Sequence, residues 1–405
     1  MDGFQSSAQP QTMPSAASLR LPAGLAVTGT ETDPLSARDY PEHPHPYRSA
    51  FVRDVGRILH AKAFRRLAGK TQVFTRIAGR GLESDHARSR LTHTLEVAQI
   101  ARTAAASLGL NAALAEALAL VHDIGHPPFG HAGEHTLDQA LSAHNLGFDH
   151  NLHALRIVTS FEERYPAFPG LNLTLAVREG IIKHSRDYSP ATHPELAAYF
   201  LDQQPPLEAQ LIDLADEIAY LTADLEDGLA ASILNLDEVR DHIPLFAALY
   251  ADAERSFPAA KPILLANEAL KSMLNALVTD LMAEVACSIQ AAGIVSLTEL
   301  RQAKSRFATL SEPMQAQRHI TKRFLYANLY QSSALEAEHA RAREVIQTLF
   351  SAWTADPALL PADHIARARE EGVPRAVADY IAGMTDSYIE QACAAHHSGS
   401  SLPQT

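Results

Sequence analysis

Leu207, Leu211, Leu214, Ile218, Leu221 and Leu225 recur at helical spacing, while Asp213, Asp216, Tyr220, Asp224 and Asp227 line the opposite side. A segment built this way buries one stripe in a core and keeps a second, acidic face available. The same period returns along most of the chain. The basic stretch 50–68 can turn Phe51, Val55, Ile58, Leu59 and Leu67 to a core and closes at Gly69. A further helix is expected over 85–108, with His93, Val97, Ile100 and Ala104 on one face and a stop near Gly109. Asn111 then caps AALAEALALVHD, which Gly125 and Pro127-Pro128 end. Alanine and leucine are plentiful and β-branched runs are rare, so the expected fold is all-α. Only KTQVFTRIAGRG (70–81) suggests a short hairpin or an irregular loop.

A chain of 405 residues can bury a large core. Residues 1–45 are rich in Ser, Pro, Ala, Gln and Thr without a sustained period and are expected to form a disordered arm. The chemistry falls in 46–235, a helical extension follows over 236–395, and 396–405 reads as a flexible tail. Beyond 240 no chemical constellation is evident, so that part reads as packing and assembly surface. No uninterrupted apolar stretch reaches 18 residues, and the N-terminus lacks a charged start followed by an apolar core. The two cysteines, Cys287 and Cys393, make neither a disulfide framework nor a thiolate metal site. A cytoplasmic protein without membrane contact is the expectation. The net charge of −13 argues against general nucleic-acid binding. Yet between Arg48 and Arg102 twelve Lys/Arg face four Asp/Glu, which marks either a local anion site or a solvated face.

Reactive groups concentrate in RSRLTHTLEV (88–97) and HDIGHPPFGHAGEH (122–135), the second holding four histidines, an aspartate and a glutamate. His122 and Asp123 are adjacent where a helix gives way to a loop, so a neutral imidazole and a hard carboxylate can meet one ion. That donor mix suits a divalent metal and phosphate chemistry better than thiol or redox chemistry. Arg90 stands one helical turn before His93 and can fork onto phosphate oxygens bound there. His131 and Glu134 lie three apart, where a carboxylate can orient an imidazole for proton transfer. Tyr220 and Asp224 follow Asp216 at i+4 and i+8 and share its face.

In order, His93, His122-Asp123 and Asp216 resemble the H…HD…D pattern of HD-domain metal-dependent phosphohydrolases. RSRLTHTLEV, HDIGHPPFGHAGE, FDHN and LADEIAYLTADLEDG look like the deoxynucleoside triphosphate triphosphohydrolases, the dGTPase-like branch, and AFRRLAGKTQVF and GIIKHSRDY match it too. The likeness is strong over 48–235 and looser beyond. It implies an HD-type helical fold and a divalent ion, Mg²⁺ or Mn²⁺, on His93, His122, Asp123 and Asp216. It implies His131 at the scissile bond, assisted by Glu134, with His126 facing phosphate and His150 reaching the site. Arg90 would bind phosphate, Gln72 would read the sugar, and the Tyr220–Asp224 pair would meet the 3′-hydroxyl. Arg53, Arg57, Arg65, Arg66 and Lys70 are weaker phosphate candidates, and His135 and His144 read as surface or packing. Glu217 stands where some relatives carry lysine, and an acid there would repel phosphate. The implied reaction converts a dNTP, dGTP or others, into deoxynucleoside and triphosphate, in a homo-oligomer. Alternatives are an HD phosphohydrolase acting on a nucleoside monophosphate or signalling nucleotide, or a non-catalytic nucleotide or single-strand nucleic-acid sensor.

Overall fold

Side-chain caps start several of the helices near the site. The computed structural model describes residues 19–73 and 88–400. Ser49 accepts from Val52 N and starts α1 (Ala50–Leu59). The single helix expected over 50–68 breaks at His60 and resumes as α2 (Lys62–Arg66). Its five-residue continuation is capped through Glu162, whose oxygens accept from Lys62 N and Ala63 N. Ser89 and Thr92 cap α3 (Arg90–Leu108) reciprocally, and Gly109 ends it at φ 80°. Asn111 caps α4 (Ala112–Val121) as expected. Most of 70–81 and the expected start of α3 at 85 lie outside the described residues. Among the described residues the only β pairing is two isolated bridges, so the fold is all-α.

Next come α5 (Gly130–Ser142), α6 (His150–Arg156), α7 (Leu175–Ile182) and α8 (Leu207–Ala230), the last containing the whole Leu207–Leu225 stripe. The chain continues through α9 (Leu236–His242), α10 (Pro244–Ser256), α11 (Pro262–Ala292), α12 (Leu297–Arg301) and α13 (Glu312–Leu325). It ends in α14 (Ser333–Ala355), α15 (Ala362–Glu371), α16 (Val373–Ala382) and α17 (Asp386–Ser398). α3, α4 and α8 form the centre, where Ala101, Ala104, Ala115 and Ala119 are buried and let the backbones approach. α11 is long and apolar enough to cross a membrane by length and composition, and its stripe Leu270–Met273–Leu277–Leu281 is buried in the same core.

Core membership does not follow a division at 235. α10, α11 and part of α13 join the first core, whereas Leu137 and Leu141 of α5 join a second one with Ile346, Leu349, Trp353 and Ile381. α5, which carries His131 and Glu134, is therefore held by the C-terminal helices. The expected disordered arm also needs correcting, because from Leu19 the chain is packed, with Leu25, Val27 and Leu35 buried. Glu208 of α8 anchors it by accepting from both Val27 N and Asn111 N at 3.0 Å. A few isolated apolar residues suffice once a buried acceptor holds their backbone, and composition does not register them. At the other end, α17 runs to Ser398, past the start of the expected tail.

Candidate active site

The cleft floor is built where α3, the end of α4 and α8 converge. His93 Nε2 lies 2.7 Å from Asp216 Oδ1. His122 Nε2 lies 3.6 Å from Asp123 Oδ1 and 3.8 Å from Asp216 Oδ1. The His122 Nδ1 atom is 2.6 Å from Ala119 O, so Nδ1 carries the proton given to that carbonyl and Nε2 is left facing the acids. Nε2 is buried without a hydrogen-bond partner. Burial opposes protonation of His122, but Asp123 and Asp216 outweigh it and push the imidazole up to about 9. A cation among His93, His122 and Asp216, whose ligand atoms lie within 4.8 Å of one another, would take that proton's place. These donors fit a divalent ion.

Arg90 NH1 holds Asp123 Oδ2 at 2.8 Å, and both are buried. The turn after His122-Asp123 is tightly constrained. A Cβ on Gly125 would lie 2.0 Å from His150 O, and Phe129 adopts φ 62° just before α5. Asp386 pins that turn from α17 by accepting from Phe129 N at 2.9 Å and Thr71 N at 2.8 Å. Buried Lys70 bridges His126 O and Ala382 O.

Above the floor sits a second histidine cluster. His126 stacks on His150 with ring centres 4.0 Å apart. Glu134 Oε1 is 2.8 Å from His150 Nδ1 and also accepts from His150 N, while Oε2 lies 3.6 Å from His131 Nδ1. Burial alone would raise Glu134, yet His131 and His150 hold its carboxyl well below the usual range. Burial and Arg90 keep His126 well below its ordinary value, so it is neutral. The His131 side chain is 83% exposed. His126, His131 and His150 of this cluster, with Arg90, Asp123 and Asp216, border a cleft of about 490 Å³, beneath which His93 and His122 are buried.

Residues 90–221 match the HD domain family, and residues 308–395 match the phosphohydrolase-associated domain family. The chain is 44% identical over 365 residues to the deoxyguanosinetriphosphate triphosphohydrolase-like protein of Ralstonia pickettii, covering 90% of this chain and 92% of that one. The like-named protein of an Azoarcus species is 45% identical, covering 87% and 90%. Deoxyguanosinetriphosphate triphosphohydrolase-like protein 1 of Deinococcus radiodurans is 43% identical, covering 88% and 92%. The chain belongs to this family. It is an HD-domain phosphohydrolase.

Within this HD hydrolase, Gln72, Arg90, His126, His131, His150, Asp216, Tyr220 and Asp224 all border the cleft, as the sequence suggests. Arg53 does not. It pairs with Glu42 at 3.2 Å and donates to His43 O, away from the cleft. Arg57 likewise binds Glu42, and Arg88 binds Glu96, Glu226 and Asp227, so much of the basic excess is consumed internally. Glu217, expected to repel phosphate, is paired with Arg318 and Lys322 and accepts from Tyr220 at 3.0 Å. Tyr220 and Asp224 are not bonded to each other: Asp224 accepts from Tyr330, and burial pushes its carboxyl up to about 7.

Several cleft residues of the HD hydrolase escape sequence reasoning. His184, in the quoted GIIKHSRDY block, faces His122 with ring centres 5.2 Å apart and has Nδ1 2.8 Å from Asp213. Lys322, Tyr326, Tyr330, Leu335 and His339 come from beyond 240, where no chemistry was expected. A π-helical turn, Tyr326–Tyr330, directly after α13 brings both tyrosines to the cleft. Only such a local irregularity would have signalled them.

Proposed function

We propose that this hydrolase cleaves a deoxynucleoside triphosphate at the α-phosphate, releasing deoxynucleoside and intact triphosphate. The observation that carries the reading is the convergence of His93, His122, Asp123 and Asp216 on the cleft floor, with His122 Nε2 buried and unpartnered. These four side chains would hold a divalent ion, Mg²⁺ or Mn²⁺. Bound there, it would act as a Lewis acid at a phosphoryl oxygen and make water more acidic. The names of the relatives support a guanine deoxynucleotide as one substrate.

The remaining roles follow from position. Arg90, steadied by Asp123, presents its guanidinium to negative charge growing on phosphorus. His131 at the mouth moves the proton at its imidazole, and Glu134 fixes His150 while lying within reach of His131. Neutral His126, stacked on His150, packs beside the phosphates without adding charge. Gln72 and Asp224 meet the sugar, with Oε1 of Gln72 and Oδ1 of Asp224 buried and unpartnered beside the cleft. The Tyr220 ring, held by Glu217, would crowd a 2′-hydroxyl and favour deoxy sugars.

The test is turnover of each dNTP and of GTP with Mn²⁺ or Mg²⁺, with products resolved by chromatography, beside Asp123→Ala. Deoxynucleoside plus triphosphate, lost in the variant, supports the reading. Stepwise phosphate or pyrophosphate release overturns it.

A further inference from the structure

The last helix reaches the cleft through a single carboxylate. Asp386 opens α17, where an acid in the first turn is an ordinary partner for the helix dipole. Its two oxygens are used elsewhere. Oδ1 accepts from Phe129 N at 2.9 Å, while Oδ2 accepts from Thr71 N at 2.8 Å and from the Thr71 hydroxyl. These partners stand 257 and 315 residues away along the chain, and Asp386 is buried. A dipole partner alone would not need such aim.

Each grip falls beside a functional residue. Phe129 is the N-cap of α5 and gives that helix no side-chain cap. It adopts φ 62°, which a phenylalanine rarely takes, and Gly130 follows at φ 56°. The chain therefore enters α5 through a turn that something outside it must hold, and His131 stands two residues beyond Phe129. On the other side, Thr71 precedes Gln72, whose Oε1 is buried beside the cleft. The two gripped segments also touch. A Cβ on Gly130 would lie 3.0 Å from the Arg90 guanidinium and 3.7 Å from both Thr71 O and Gln72 O.

The same stretch of chain holds the turn at its other end. Lys70 donates to His126 O at 2.5 Å and to Ala382 O at 2.8 Å. A Cβ on Gly69 would meet the Thr385 side chain at 2.9 Å, so the chain before Lys70 lies flat against the start of α17. His126 to Phe129 is thus strung between anchors at residues 382 and 386. Both lie in the segment 308–395 that matches the phosphohydrolase-associated domain.

We propose that Asp386 is a positioning residue for hydrolysis: its carboxylate sets the entry of α5, and with it His131, against the segment that carries Gln72. This rests on the role given to His131 above. Asp386→Asn tests it with little change of shape, because an amide offers one acceptor oxygen and turns its NH₂ toward the other N–H.

The test compares full-length wild type, Asp386→Asn, Thr71→Val and Asp379→Asn. Asp379 is the control, a buried acid of α16 that binds His153 and Arg156 instead of the turn. Without metal or substrate, the imidazole NMR resonances of His131 should shift in Asp386→Asn and stay in place in Asp379→Asn. Amide exchange at Phe129 or Thr71 should quicken by about 10-fold or more in Asp386→Asn alone. With Mn²⁺ or Mg²⁺, kcat for dGTP should fall about 10- to 100-fold in Asp386→Asn, with KM and metal content within about twofold of wild type. Asp379→Asn should keep kcat within about twofold even where its unfolding midpoint falls. Thr71→Val removes one of the three donors and should show the same changes at smaller size, which supports the clamp even if Asp386→Asn does not fold. Wild-type resonances and kcat in Asp386→Asn, or in Thr71→Val where Asp386→Asn does not fold, overturn the proposal. So does loss of metal in Asp386→Asn, or an equal loss of kcat in Asp379→Asn, which would mean general loosening of the C-terminal helices. A wild type that turns over no dNTP overturns the reading of the reaction instead, and the His131 resonances then decide the clamp.

Discussion

The floor of the cleft and its outer wall are built by different logics. The floor takes His93, His122, Asp123 and Asp216 from helices that form the first core; donor atoms of His93, His122 and Asp216 lie within 4.8 Å of one another, and Asp123 stands 3.6 Å from His122. The wall takes Lys322, Tyr326, Tyr330, Leu335 and His339 from segments after residue 312, each placed by packing rather than by a shared motif. Where a site must hold an ion, the spacing of its donors is dictated by the ion and leaves a mark in the sequence. Where a site must fit a shape, many arrangements serve and no such mark is left.

Five expectations sharpen or break this contrast. The largest concerns the floor: Asp216→Ala should cut dNTP turnover by at least ~10³-fold and abolish stoichiometric metal binding, measured by kinetics and metal analysis. Full metal content in that variant would remove Asp216 from the ligand set. Next, Glu134→Gln should lower kcat by about 10²-fold or more while metal binding stays intact. Equal loss of both would make Glu134 part of the floor. On the sugar side, Tyr220→Ala should reduce the preference for dGTP over GTP by about 10- to 100-fold, with a smaller change in kcat for dGTP. Unchanged selectivity would remove the ring from sugar discrimination.

Tyr330→Phe tests the wall. It strips Asp224 of its hydroxyl donor and should cost about 1–3 kcal/mol in chemical denaturation while leaving metal binding untouched. A loss of metal binding there would erase the distinction between floor and wall. The last expectation concerns the N-terminal anchor. Burial holds Glu208 up to about 7, above its ordinary carboxyl value, so the unfolded chain ionises first as pH rises. Stability from this group is therefore greatest below the unfolded value and falls by about 1.4 kcal/mol per pH unit until pH passes about 7. Glu208→Gln keeps an acceptor for Val27 N and Asn111 N and should flatten that slope, as unfolding midpoints at pH 5 and pH 8 would show. Parallel slopes in the two proteins would mean that Glu208 ionises normally in the fold.

Helix periods and caps were readable because they are local. Ser89, Asn111 and Gly109 act within one turn of their own backbone, and α3, α4 and α8 follow from them. The floor was readable because its donors sit in short blocks of unusual composition. Arg53 misled because a basic residue near a site carries no sign of the Glu42 that consumes it. Glu217 misled in the opposite direction, since its partners Arg318 and Lys322 lie about a hundred residues away.

By itself the sequence determined the helical class, the order H…HD…D and the adjacency of His131 and Glu134, all matters of short-range spacing. The tertiary structure alone decided that Glu134 clasps His150, that the C-terminal helices hold α5 and wall the cleft, and that residues from 19 onward belong to the body. Those outcomes depend on which distant groups satisfy each buried charge and backbone amide, and that matching is made only when the chain closes on itself.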